Sequence, residues 1–532
     1  MSPSLQQTPI LASSELPATL TMYTIAAAFI LLLLFLVYYR YFVVMKTIRH
    51  LRGPLRSSIL LGHEFELRAQ PTAGALEATW QKAYGNTFRV GGCFAQDILM
   101  TADPKAIQHI LRNSGYRYPK TKDIVHVWEL AVGRSVVAAA GSAHQHQRRI
   151  LGPAFSSSQL KKYAIVFKKT GVKLCGKIRE LVDKEPMEID MLKWASRAAL
   201  DNIGLASLGC NFGALDGSSS EMADLIRRSF TALSSVSPTP LVVLAPALWR
   251  FLPNSMLSIL DRITTLESKI FQQFNAIATK TARNTIKNAL RDGSKDLVNL
   301  LAIASDKDLL DEDEILSQLG TFTLAAEDTV ASAISWTLYE LGRCPEYQAR
   351  VREEINRLAD YEAMPLLNAA INETLRLRPL MFTFSRYAAE DDVIPLSEPI
   401  TTRVGETWKE ISVEKGQMVM ISAYIYNRLP SVWGKDPDDW NPERFLQERN
   451  GVSVGLHANL LNFSDGVHGC IGWKYGLIQL QIILAELLKS FEFLDSKVEI
   501  RNGSAFVGLI PIVKGREREG MQVPVTVKAL KC

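Results

Sequence analysis

Apolar and polar positions alternate along most of this chain with helical spacing, but the first apolar run has no polar face at all. Residues 22–39 carry no charge, and their core, residues 25–37, is Ile-Ala-Ala-Ala-Phe-Ile-Leu-Leu-Leu-Leu-Phe-Leu-Val. As a helix this run spans about 27 Å, enough for a bilayer core. No Lys or Arg precedes it, whereas Arg40, Lys46, Arg49, Arg52 and Arg56 follow closely. That asymmetry puts the N-terminus in the lumen and the body in the cytosol. A cleaved signal peptide needs a basic start and a small-residue cleavage site, and neither is present. The run is expected to be an uncleaved anchor, with Arg52-Gly53-Pro54 as a stiff hinge, because proline fixes φ and blocks helix continuation. The expected division is residues 1–21 lumenal, 22–39 transmembrane, 40–57 a basic, proline-containing hinge and 58–532 the body.

In the body, residues 86–92 and 97–102 read as two short strands about a turn, followed by a helix whose first turn holds Pro104. From about Leu160 to Arg357 the pattern is mainly helical. Ser237-Pro-Thr-Pro240 and Leu252-Pro253 interrupt it, predicting a loop of apolar residues there. Strand-like segments return after Pro379, at 410–413 and at 523–527. Helix dominates and sheet is minor, so the expected class is mainly α with a small β region.

The helix predicted over residues 311–342 is the most informative. It opens on Asp311-Glu-Asp-Glu314, which complements the helix dipole as a solvated start. Residues 319–334 are apolar on nearly all sides and therefore buried. Within them sits Ala325-Ala326-Glu327-Asp328-Thr329. Acids and a threonine in an apolar helix are costly unless they have partners or a task. Thr329 can bond back to the Ala325 carbonyl and open a groove, and an acid–alcohol pair there can relay protons to something bound alongside.

Composition narrows the picture further. The 532 residues are 47% hydrophobic and 22% charged, without internal repeats or a low-complexity linker, which favours one large domain. Six cysteines (Cys93, Cys175, Cys210, Cys344, Cys470 and Cys532) show no paired spacing, as in a reducing compartment. A formal net charge of +5, with no basic stripe interleaved with aromatics, excludes nucleic acid as the natural partner. It suits an anionic membrane face or an acidic partner.

The strongest chemical signal is Phe463-Ser-Asp-Gly466-Val-His468-Gly-Cys470-Ile-Gly472, just ahead of an apolar helical stretch from about Trp473 to Phe491. A cysteine before a helix N-terminus is favoured as thiolate, and glycines let a metal-bearing group approach the backbone closely. Upstream, Glu373 and Arg376 lie at i, i+3 on one helix face, ahead of Pro379. Asn441-Pro442-Glu443-Arg444-Phe445 then precedes the cysteine loop. Glu354 and Arg357 have the same spacing as Glu373 and Arg376, and read as a surface pair.

Taken together and in this order, these segments resemble the cytochrome P450 superfamily of microsomal type, with a general likeness to fungal members acting in specialised metabolism. The resemblance covers essentially the whole chain and implies a haem-thiolate monooxygenase fold carrying haem b. It makes Cys470 the metal ligand, within a loop built on Phe463, Gly466 and Gly472. Arg148 (in His144-Gln-His-Gln-Arg148), Arg386 and His468 would meet the haem propionates, and Glu373, Arg376 and Arg444 would form a supporting charge triad. Asp328 and Thr329 would deliver catalytic protons, and thiolate donation would favour O–O cleavage.

Three positions depart from the family's usual pattern. Ala326 stands where glycine is commoner, His144 where tryptophan is usual and His468 where arginine is commonest. Arg148, Arg149, Lys161, Lys162 and Lys474 would make a basic face for an acidic flavoprotein donor.

The implied activity is insertion of one oxygen atom of O2 into a lipophilic small molecule, a terpenoid or other secondary metabolite. NADPH and flavins would act only indirectly, through an NADPH–cytochrome reductase, with a cytochrome b-type protein as a further donor. The pocket would be drawn from residues 125–132, 241–251, 319–325, 381–384 and 506–509. The implied location is the endoplasmic reticulum membrane, single-pass, with the catalytic domain in the cytosol. The competing reading is a haem-thiolate isomerase or dehydratase needing no electrons, against which the Asp328–Thr329 pair argues. A non-catalytic haem sensor or membrane scaffold is a third.

Overall fold

The computed structural model describes residues 47–217, 239–253, 257, 266–289, 295–358, 360–448, 451–505 and 508–531, with scattered positions between 23 and 35. The helices that shape the site are, in chain order, α1 (Glu64–Ala69), α2 (Lys122–Val132), α3 (Gly141–Leu151), α4 (Ser157–Val182), α5 (Met191–Ile203), α6 (Pro240–Trp249), α7 (Leu266–Lys287), α8 (Glu312–Arg343), α9 (Pro365–Leu377) and α10 (Trp473–Ser490). Helix α8 is the axis of the fold. The Asp311 carboxylate accepts from Glu314 N (2.8 Å) while the Glu314 side chain accepts from Asp311 N (3.2 Å). This reciprocal cap satisfies two donors that the helix start leaves open. Helices α5, α7, α9 and α10 pack on α8, and nearly every position from Ile315 to Gly342 is buried as a result.

The main sheet has four strands in the order β1 (Thr87–Gly91), β2 (Asp97–Thr101), β6 (Met418–Ser422), β3 (Thr383–Tyr387). Ile98 pairs in parallel with Met418, and Arg386 antiparallel with Val419. A hairpin of β4 (Asp392–Thr401) and β5 (Thr407–Val413) stands beside it. The chain is thus mainly helical with minor sheet.

Two expectations need correction. Residues 240–249 form helix α6 rather than a loop: Pro240 occupies the first turn, where its missing N–H costs nothing, and Thr239 Oγ1 accepts from Val242 N (3.4 Å). The helical stretch after Leu160 is also broken by a strand, Met187–Asp190, which pairs with Pro524–Ala529. Four residues whose ladder partner lies more than three hundred positions away carry no local signal. Among the described residues no helix is long and apolar enough to cross a membrane. The run at 22–39 lies largely outside them.

Candidate functional site

Cys470 sits in a turn held by its own backbone: Cys470 N donates to Phe463 O (2.8 Å) and Gly469 N to Gly466 O (3.0 Å). Gly466 has φ +62°, and a Cβ there would meet the Leu111 carbonyl oxygen at 1.8 Å. Conformation and space both demand glycine. Asp465 braces the same turn, accepting from Gly455 N (2.9 Å) and Gly466 N (2.8 Å) and pairing with Arg112 (2.9 Å). Gly472 is the N-cap residue of α10, two positions beyond Cys470. Burial raises the thiol above its ordinary pKa, while the Gly472 N–H and the Arg148 charge work to lower it. Protein surrounds the sulfur on many sides, yet Cys470 has open surface, so a ligand can reach it. A bound metal ion would complete the deprotonation. The other four described cysteines are free as well.

Beside this loop lies a cluster of bases. Arg148 on α3 donates from Nη1 to the Gly469 carbonyl (2.7 Å). One turn earlier, the His144 Nδ1 meets the Tyr116 hydroxyl at 2.8 Å, and its ring lies 4.5 Å from that of His468. Lys120 bridges to Arg386 through the backbone, and its Nζ donates to Val137 O (2.6 Å). Among the described residues, the Arg386 side chain donates only to its neighbour's carbonyl, Ser385 O (2.9 Å).

Burial, aided in three of the four by neighbouring cations, pushes Lys120 down to about 7, His144 to about 4 and His468 to about 2; Arg386 falls to about 10 by burial alone. Among the described residues, no carboxylate pairs with Lys120, Arg148 or Arg386, and both buried ring nitrogens of His468 lack a partner. Buried cations without an anion are unfavourable on their own. The cluster fits a group with two carboxylates of its own, such as the haem propionates. Sequence reasoning missed Lys120 and Tyr116, since only their approach to Arg386, His144 and His468 marks them.

The loop is supported from α9. Arg376 Nε and Nη2 donate to the two Glu373 oxygens (2.7 and 2.8 Å), with both side chains fully buried. The same arginine reaches the carbonyls of Asn427 (2.6 Å) and Asp439 (3.2 Å). Arg444 Nε donates to Glu373 (3.3 Å), and its Nη1 donates to Trp433 O (2.7 Å). Glu354 is not the surface residue expected: it is buried and accepts from Leu366 N and Leu367 N (both 2.9 Å). It therefore caps α9, the helix carrying Glu373, by satisfying open N–H donors at the helix start.

On α8, Thr329 Oγ1 donates to Ala325 O (2.7 Å). Ala325 and Thr329 are exposed within the otherwise buried middle of this helix. Asp328 is half-buried, and desolvation raises its carboxyl to about 6. Glu327 points away into the core and accepts from Ser196 Oγ of α5. Ala326 shares an apolar cluster with Phe155, Phe322 and Ile471 beside the cysteine loop. Leu324, Trp128, Val137 and Phe271 pack against the buried cluster of Ala131, Val132, Phe274 and Ala278. Arg149, Lys161, Lys162 and Lys474 are exposed.

Residues 53–511 match the family model described as Cytochrome P450. The chain is 29% identical over 510 residues to cytochrome P450 monooxygenase claP of Ampulloclitocybe clavipes, covering 90% of this chain and 93% of the relative. It is 30% identical over 511 residues to claO of the same organism, with the same coverage. It is 28% identical over 487 residues to ganoderic acid synthetase CYP5150L8 of Ganoderma lucidum, covering 84% of this chain and 88% of that one.

Proposed function

Because this chain belongs to the cytochrome P450 family and is a monooxygenase of it, we propose that it oxygenates a lipophilic small molecule with electrons from a separate NADPH-dependent reductase. The observation that carries the reading is the set of buried bases without a carboxylate next to an accessible Cys470. Haem bound there supplies the iron chemistry that activates dioxygen and transfers one of its atoms to carbon.

The protein's own contributions follow from the geometry. Cys470 would be the metal ligand; the Gly472 N–H and Arg148 partly offset the burial that raises its thiol pKa, and the metal would supply the rest. Lys120, Arg148 and Arg386 would neutralise the propionates, and the uncharged His144 and His468 rings would offer them hydrogen bonds and orient the group. Desolvation raises the Asp328 pKa to about 6, close enough to neutral pH that its carboxylate can take up a proton and pass it on. Thr329, with its own hydrogen bonded to Ala325 O, keeps oxygen lone pairs available to accept a proton. An isomerase or dehydratase has no need of that pair.

The apolar packing of Leu324, Trp128 and Phe271 supports a lipophilic substrate. We put forward a terpenoid or other secondary metabolite, a biosynthetic role to which the relative named ganoderic acid synthetase lends support. Residues 22–39 would anchor the chain in the endoplasmic reticulum membrane. Exposed Arg149, Lys161, Lys162 and Lys474 would dock the acidic reductase.

The test is expression with a reductase while feeding terpenes, indoles and fatty acids. Products one oxygen heavier, dependent on NADPH and absent in Cys470→Ala, are expected. Conversion that proceeds without reductant would replace this reading with the isomerase.

A further inference from the structure

The segment that follows the run at 22–39 is fixed to the sheet rather than hinged. Ile48 and Leu51 are buried in the core, and Arg89 N donates to Arg52 O (2.9 Å). Gly53 lies so close to β1 that a Cβ would stand 1.9 Å from the Arg89 carbonyl oxygen. Beside it opens a cleft of about 420 Å³ between Arg52, Tyr84 and the tip of the β4–β5 hairpin, Thr401 to Gly405.

The cleft is strongly cationic. Arg49, Arg56 and Arg89 all converge on Asp97, at 3.7, 2.8 and 3.1 Å, so that carboxylate has little left to offer Arg403 nearby. Among the described residues neither Arg52 nor Arg403 is ion-paired. Arg403 is exposed, and burial and then Arg89 lower its pKa while Asp97 offsets them in part. Glu406, at the same hairpin tip, is engaged by the Trp408 indole N–H (3.0 Å). The Arg52 guanidinium stands over the Tyr84 ring (6.0 Å), and two guanidiniums flanking one opening suit the oxygens of a phosphate.

Next to these bases in sequence, Leu55 is 86% and Val404 65% exposed. Exposed apolar side chains beside a cationic cleft serve no purpose for a soluble anion, but they match the acyl side of a headgroup layer. Residues 40–46, even fully extended, reach at most about 25 Å, so the cleft stays close to the surface in which residues 22–39 would sit.

We propose that the cleft between Arg52, Tyr84 and Arg403 binds the phosphate headgroup of an anionic membrane lipid. This rests on reading residues 22–39 as a membrane span. The experiment uses the full-length holoprotein in phosphatidylcholine vesicles doped with a photo-crosslinkable phosphatidylserine, or with phosphatidylcholine carrying the same crosslinker. Peptide mass spectrometry then maps the adducts. Adducts of the anionic probe are expected in peptides spanning 47–56 and 401–408. In Arg52→Gln/Arg403→Gln they should fall about tenfold or more, given the pull of a lipid surface on each arginine, while vesicle flotation and the ferrous carbonyl spectrum stay unchanged.

Equal labelling by both probes, or labelling indifferent to the double substitution, overturns the cleft and leaves the anchor standing. Loss of the adducts on adding inorganic phosphate assigns the cleft to a soluble phosphate instead. Release of the wild-type chain from vesicles by an alkaline wash overturns the span, and the headgroup site with it.

Discussion

Arg148 donates a 2.7 Å hydrogen bond from Nη1 to the carbonyl of Gly469, the residue immediately before Cys470. One side chain therefore ties helix α3 to the cysteine turn while presenting charge to the neighbouring base cluster. Arg148→Ala is expected to lose both functions, and Arg148→Lys to keep the charge without the planar fork. Haem content per chain, read from the pyridine haemochrome, should fall in the order wild type, Lys, Ala. Equal content in all three would remove Arg148 from the cradle.

Glu373 is fully buried between two arginines and also accepts from Asn441 N (2.7 Å). Glu373→Ala strands Arg376 in the core, at a cost of about 3–5 kcal/mol. The expected product is a chain that does not retain haem. A stable, haem-loaded Glu373→Ala protein would refute this role.

Thr329→Val keeps the volume but removes the hydroxyl that donates to Ala325 O. Substrate affinity should hold, while coupling of NADPH to product should drop on the order of 10-fold or more, the missing share appearing as peroxide. Stoichiometric assay of NADPH, peroxide and product decides it.

Asp328 has a raised pKa of about 6 in the folded chain, so between about 4 and 6 the folded state holds a proton that the unfolded state has released. Its contribution to stability is therefore complete below about 4 and is lost as pH rises through 6. Asp328→Asn should be the more stable protein at pH 8, by about 1–2 kcal/mol after allowing for the half-exposed side chain. The difference should vanish by pH 4. Chemical unfolding of both holoproteins across that range measures it, and a pH-independent difference would sink the assignment.

Arg250, just beyond α6, bonds both Glu64 oxygens on α1 (2.8 and 2.7 Å) and Asp123 on α2 (2.7 Å). Burial alone would raise the Glu64 pKa, yet the Arg250 charge and hydrogen bonds bring it below its ordinary value. Arg250→Ala leaves two buried acids facing each other and should cost about 3–5 kcal/mol. Adding Glu64→Gln should recover part of that cost. Additivity of the two changes in a denaturant double-mutant cycle would show that the residues do not act as a unit.

What could be read locally and what could not divides along sequence separation. The Thr329-to-Ala325 bond spans four residues, the Glu373–Arg376 fork three, and the cysteine turn ten. Backbone spacing alone puts such groups within reach of one another. Helix α8 was legible for the same reason, since its apolar run and acidic first turn are local properties. Local spacing misleads where a residue's role comes from afar. Glu354 looked like one half of a surface pair, but it caps α9. Residues 240–249 looked like a proline-broken loop, but Thr239 and tertiary packing make them a helix. Arg52-Gly53-Pro54 looked like a hinge, but β1 holds it in place.

The sequence by itself determined the family and the mainly helical class, and it singled out Cys470 as the sulfur proposed to bind a metal. Each depends on residue types at short, fixed intervals that any fold of this chain must respect. Only the tertiary structure decided that Lys120 and Tyr116 join His144, Arg386 and His468. It alone showed that, among the described residues, no acid pairs with these bases, and that Arg52 and Arg403 line one cleft. Charges separated by hundreds of residues carry no mark of each other until packing removes water between them, and it is that shared loss of solvent that turns scattered cations into a site.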